Sequence, residues 1–138
     1  MQPTRSHCYQ PCRTLARTRI LLAWLTASCA WTGASGASAA TITWTGGAGT
    51  GSWHNPANWD LGRVPAAGDD VVIPDMTPDV TVSFSSTSTS INSLTSGELV
   101  SVSGGFLSIA GTSVLDAGMT LTNGEIGGTG TLTVNGPF

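Results

Sequence analysis

Three tryptophans, Trp44, Trp53 and Trp59, fall within sixteen positions of one another. An indole can act in two ways: an exposed ring face stacks on a sugar or another aromatic ligand, whereas a buried ring covers a large apolar area. Because the cluster lies directly before a series of short apolar segments, we favour burial, in which the indoles cap the end of a core. A ligand platform built from the same three side chains is the alternative.

Four aspartates follow the tryptophans within eleven positions and supply the hard oxygen ligands that calcium prefers. They are Asp69, Asp70, Asp75 and Asp79. Their spacing matches no EF-hand loop, and aspartates in turns also keep the edge of a sheet soluble. We favour the second interpretation, so the sequence predicts neither a metal nor a cofactor.

The first forty residues have the pattern of a general secretion signal. Four arginines precede an apolar run from Ile20 to Trp31, which is too short to span a bilayer, and the small residues Ala37-Ser38-Ala39 follow it. This pattern predicts cleavage after Ala39 or Ala40 and a secreted or surface-exposed protein. The predicted domains are a signal peptide (1–39), a tryptophan-rich cap with the first strand (40–78) and incomplete solenoid coils (79–138).

The predicted mature chain is acidic and has no thiol. All three cysteines, Cys8, Cys12 and Cys29, lie in the leader, so the mature chain has no disulfide. Past residue 40 a single cation, Arg63, stands against eight acidic residues, a formal charge of −7. That balance excludes the phosphate-binding surface of a nucleic-acid protein, and no segment of the mature chain is long and apolar enough to span a membrane.

Short apolar segments separated by glycine dominate the remainder of the chain. The clearest repeat is the pattern G-x-L-x-[IV]-x-G, which occurs once from Gly105 and again from Gly130. Each segment has the length and alternation of a β-strand with aliphatic residues inward and Ser or Thr outward. Strands this short suit a parallel β-solenoid with three strands in each coil of about 22 to 25 residues, in which glycine forms the corners.

The run W-T-G-G-A-G-T-G-S-W-H-N-P-A-N-W-D, residues 44–60, together with the later V-x-V-x-G-G-x-L-x-I-x-G stretch, residues 100–111, resembles the start of bacterial secreted β-helix proteins. These are autotransporter passengers and filamentous-haemagglutinin-like adhesins. The resemblance implies a right-handed parallel β-helix at the surface of a Gram-negative cell, adhesive and not catalytic. Its partners would be carbohydrates or proteins of a host cell or matrix, bound mostly by coils beyond this chain, which we expect to be a truncated or N-terminal piece.

Some parallel β-helices cleave acidic polysaccharides with several aspartates and a basic residue on one face. Here the repeat region offers only Glu98, Asp116 and Glu125, and no basic residue follows Arg63. Glu98 and Glu125 both follow a glycine and could stack on adjacent coils, but like charges are better accommodated when solvated on turns, which we predict. His54 is predicted to be exposed in a polar turn, and no enzymatic activity is expected.

Overall fold

A computed structural model of the chain describes residues 39–138. The predicted signal peptide therefore lies outside the described residues except for Ala39. Within the described part the protein is all-β, with one short 3₁₀ turn at Pro56–Asn58 and no α-helix. No helix in this part is long and apolar enough to cross a membrane.

Eleven short strands account for the regular structure of residues 39–138. They are β1 (Thr41–Thr43), β2 (Asp70–Ile73), β3 (Thr81–Phe84), β4 (Ser88–Ile91), β5 (Ser93–Ser96), β6 (Leu99–Val102), β7 (Phe106–Ile109), β8 (Ser113–Leu115), β9 (Met119–Leu121), β10 (Glu125–Gly127) and β11 (Leu132–Val134). All of their pairings are parallel.

The strands form three parallel sheets, and from β2 onward consecutive strands join the first, second and third sheet in turn. The first sheet has the order β1-β2-β5-β8-β11, the second β3-β6-β9 and the third β4-β7-β10. From β2 onward, three consecutive strands complete one coil and the next strand pairs with the first. The fold is thus a β-solenoid of about three coils, as the sequence predicted.

The regular coils are shorter than the predicted length of about 22 to 25 residues, and that prediction is wrong. Thr81 pairs with Leu99, and Phe106 pairs with Glu125. The step from Asp70 to Ser93 does fall in the predicted range, because residues 74–80 add a longer connection between β2 and β3. The error has a clear origin: the two matching segments that suggested the length contain β7 and β11, which lie in different sheets.

Side chains alternate between the core and the surface along each strand. Val82, Val100 and Met119 stack in register and are fully buried, as expected for an inward column. Facing outward on the same sheet is a row of four hydroxyl side chains. In order along the solenoid these are Ser52, Ser83, Ser101 and Thr120. The predicted alternation of aliphatic columns and hydroxyl rows is confirmed.

Glycine is required at corners where the backbone turns between sheets. Gly105 precedes β7 with φ of +76°, and a Cβ there would lie 2.0 Å from the carbonyl oxygen of Thr87 in the preceding coil. Any side chain would therefore push apart two stacked coils as well as strain the local backbone. Gly49 has φ of +66°, but no atom lies within 4 Å of the position that a Cβ would take. Glycine is therefore favoured there only by the left-handed backbone conformation.

These two glycines give a matched pair of substitutions. We expect Gly49→Ala to cost about 1 kcal/mol in the free energy of unfolding, from the left-handed backbone alone. Gly105→Ala should cost more than about 3 kcal/mol, because the added methyl group also displaces the neighbouring coil. Urea denaturation of both variants measures the difference, and equal losses would contradict the close approach of the coils at Gly105.

Candidate functional site

The three tryptophans lie together at the start of the solenoid. Trp44 follows β1 and donates its backbone N–H to the carbonyl of Val72 at 2.8 Å. Trp53 and Trp59 flank the 3₁₀ turn, which begins at Pro56 and is capped by Asn55, whose side chain accepts the N–H of Ala57 at 3.1 Å. Proline at the first position and asparagine at the cap favour such a turn, so the sequence brings the two indoles back to the same place.

The indoles pack edge to face against one another. The ring of Trp59 lies 5.0 Å, centroid to centroid, from those of both Trp44 and Trp53, at interplanar angles of 86° and 73°. Trp53 also meets Phe84 of the first complete coil at 5.7 Å. The Trp59 Nε1 donates to the carbonyl of Trp53 at 2.8 Å, which satisfies the polar edge of the central ring.

Burial decides between the two uses of an indole. Trp44, Trp53 and Trp59 are 1%, 0% and 3% exposed. A sugar stacks only on a ring face that solvent reaches, so this arrangement favours the cap over the ligand platform. We refer to residues 41–60, which contain the three rings, as the aromatic cap.

The aromatic cap also occupies strand edges of the first coil. β1 pairs along β2, and the Gly51 carbonyl accepts the N–H of Ser83 at 2.7 Å while Trp53 donates to the Ser83 carbonyl at 3.0 Å. Two of the three sheets therefore have their first complete strand covered by backbone hydrogen bonds. An edge covered in this way is not available for pairing with another chain.

A single buried amide holds the aromatic cap together. Asn58 is fully buried, and its Nδ2 donates to the carbonyls of Thr50 and Ser52 at 2.8 and 2.9 Å. Its Oδ1 accepts the N–H of Ala48 at 2.9 Å, and its backbone carbonyl accepts the N–H of Thr45 at 2.7 Å. From the sequence alone, Asn58 is an ordinary turn residue between tryptophans. Nothing in the sequence marks its partners, since most are backbone groups of the loop before it.

Asp69 is buried in an ion pair, so the favoured interpretation of it as a turn aspartate that keeps a sheet edge soluble is wrong for this residue. Its carboxylate is fully buried and forms a two-pronged ion pair with the guanidinium of Arg63, with Nη2 2.9 Å from Oδ1. The backbone N–H of Ala66 donates to Oδ2 at 2.8 Å. The hydrogen bonds from Arg63, the largest effect, and those from Ala66 and Ala40 lower the pKa of Asp69 despite its burial.

The other aspartates do not converge on Asp69. Asp70 accepts hydrogen bonds from the side chains of Ser93 and Asn92 in the next coil, which lower its pKa. Asp75 and Asp79 belong to the connection between β2 and β3. Across residues 39–138, no three His, Cys, Asp or Glu side chains come close enough to hold a metal ion together.

Glu98 is buried, and the prediction that it is solvated is wrong. Its two carboxylate oxygens accept the backbone N–H groups of Met76 and Val80 at 2.7 and 2.8 Å. Those bonds replace the hydration that the carboxylate loses, and they fasten the long first-coil connection to the next coil. Glu98 does not stack with Glu125, which is exposed and pairs in register with Phe106.

His54 is less exposed than its polar sequence context predicted. Its ring lies 4.8 Å from that of Phe84, and its Nε2 is buried without a hydrogen-bond partner among the described residues. This desolvation lowers the pKa of His54. The neutral imidazole therefore packs within the aromatic cap against Phe84, and the prediction that His54 is exposed is corrected.

Comparison of the chain with models of protein families, with curated proteins and with solved structures gives no match.

Asn58→Ala tests the central amide. We expect a loss of about 2 to 4 kcal/mol in the free energy of unfolding, because two carbonyls and one N–H lose their fully buried partner together. Asn55→Ala is the matched control, since it removes one exposed hydrogen bond and should cost less than about 1 kcal/mol. Chemical denaturation compares them, and a small effect of Asn58→Ala would contradict its central role.

The lowered pKa of His54 predicts that the protein is less stable at mildly acidic pH. Because the folded-state pKa lies below the unfolded value of 6.5, the unfolded chain binds the proton more readily. Stability should therefore fall as the pH drops below about 6.5. Thermal melts at pH 7.5 and 5.0 should show this loss, and His54→Gln should reduce it. An equal loss of Tm between pH 7.5 and 5.0 in the wild type and the variant would show that another group is responsible.

Proposed function

We propose that this chain is the start of an exported, non-catalytic β-solenoid of the adhesin type. In this proposal the aromatic cap closes the first coil, and further coils of the same kind carry the binding surface. The observation that supports it most directly is the difference between the two ends of the solenoid.

At the cap end the aromatic cap covers the first complete strand of two of the three sheets, and at the opposite end no described strand covers any of the three. β9, β10 and β11 are the outermost strands of their sheets among residues 39–138. Leu121 of β9 is 42% exposed and Phe138 is 81% exposed, whereas the indoles of the cap are buried. Free strand edges of this kind can pair with a further strand, which is compatible with the proposed further coils.

The composition is consistent with an extracellular role. The leader pattern supports secretion, and a mature chain without cysteine needs no oxidative folding step. Outward Ser and Thr give the sheets an uncharged, hydrogen-bonding surface suited to carbohydrate or protein partners of a host cell or matrix. A strongly acidic chain does not suit nucleic acid.

The structural roles of the acidic groups support a non-catalytic module. Asp69 and Glu98, the buried carboxylates of the described residues, are bonded to Arg63 and to backbone N–H groups of loops. The alternative function, a small carbohydrate-binding domain, would need open indole faces, and the burial of the three rings gives it no support.

Export is tested with the full-length chain in a Gram-negative host. We expect the protein to leave the cytoplasm and to lose its leader, as followed by fractionation and intact mass. Leu22→Arg, which interrupts the apolar run without changing the solenoid, should remain in the cytoplasm at full length. Wild-type protein that stays full-length in the cytoplasm would contradict the proposal.

A further inference from the structure

We propose that the exported protein begins at Ala40 and that its new α-ammonium group is bound by the buried carboxylate of Asp69. This inference rests on the proposed export and selects one of the two cleavage positions that the sequence leaves open. It assigns to Asp69 a binding role for the processed terminus in addition to its ion pair.

The nitrogen of Ala40 already points at this carboxylate. It lies 3.2 Å from Oδ1 of Asp69, and the Ala40 carbonyl accepts the N–H of Asp70 at 2.9 Å. Asp69 has no exposed surface, and Arg63 and the N–H of Ala66 occupy its other hydrogen-bonding positions. The new terminus therefore contacts a buried carboxylate whose orientation is already fixed by Arg63 and Ala66.

Hydrolysis changes the charge of this contact. A peptidase that recognises small residues adds the oxygen of water to the carbonyl carbon of Ala39, and the bond to the nitrogen of Ala40 breaks. Ala39 leaves as a carboxylate and the nitrogen becomes an ammonium group at neutral pH. A neutral amide donor is thereby replaced by a cation facing a carboxylate, which gives a shorter and stronger hydrogen bond.

The two possible cleavage positions differ at this site. Cleavage after Ala39 keeps both polar groups of Ala40, one bonded to Asp69 and the other to Asp70. Cleavage after Ala40 removes both and starts the chain at Thr41, in β1 itself. Only the first product places a charged terminus beside the buried carboxylate.

The first measurement is the N-terminal sequence of the exported protein. The full-length chain is expressed in a Gram-negative host, and the secreted form is analysed by N-terminal sequencing and intact mass. Ala40 as the first residue is the expected result. A first residue of Thr41, or one upstream of Ala40, would overturn the inference while leaving the proposed export intact.

The second measurement does not depend on export. The full-length chain receives, directly before Ala40, the recognition sequence of a protease that cuts after that sequence, so that cleavage in vitro also yields Ala40. Residues 40–138 contain no Cys, Lys or Tyr, so the α-amino group is the one group that titrates between about pH 8 and 11. NMR titration of Ala40 measures its pKa, which we expect to lie at least about one unit above the ordinary 7.7 to 8.0.

The stability of the processed protein should depend on the protonation of this α-amino group. Since its pKa is raised in the folded state, its contribution is complete below about pH 8 and is lost as the pH rises through the folded-state value. We expect the Tm to fall by about 4 to 8 °C between pH 7.5 and 11. The acetylated terminus, and a chain cut one residue earlier to begin at Ala39, should show no such loss. An ordinary α-amino pKa, or equal melts for all three, would overturn the inference whatever the export result.

Discussion

Parallel hydrogen bonding between successive coils determines where every other group in this protein can lie. Each strand residue sits directly over its counterpart in the coil before, as Val100 does over Val82 and Met119 over Val100, so an inward side chain always meets another inward side chain. This register makes continuous apolar columns and outward hydroxyl rows from very short strands. It also leaves an apolar surface at each end, because a column has no natural terminus of its own.

The protein covers one end with aromatic rings and fastens its loops with buried polar groups. The three indoles supply apolar area where no further coil packs, and Asn58 joins the loops that carry them. Two buried carboxylates act in a similar way. Asp69, directly before β2, is bonded to Arg63 and Ala66, and Glu98, in the next coil, accepts hydrogen bonds from the connection between β2 and β3. Such groups contribute most when every lone pair is used, since a partly bonded buried carboxylate destabilises the fold.

The general architecture was predictable because it depends on local patterns. Alternation of aliphatic and hydroxyl residues indicates strands, glycine indicates corners, and clustered tryptophans before the first strands indicated the cap. The coil length was not predictable from the clearest repeat, because β7 and β11 match in sequence while lying in different sheets. The burial of Glu98 and the partial burial of His54 were also missed. Their partners are backbone N–H groups and a phenyl ring far away along the chain, which leave no motif.

The spacing of the cap contacts along the chain has a consequence for the order of assembly during synthesis. β1 pairs with β2, which follows the whole of the aromatic cap, and Ser52 bridges to Ser83 in β3. The cap therefore cannot close completely until the chain has been made as far as β3. After that point, each new coil can pair with the preceding coil, which is already formed, as soon as its own residues have been made. The first closure therefore joins residues farther apart along the chain than any later coil does, and loop closure costs more entropy for the longer separation.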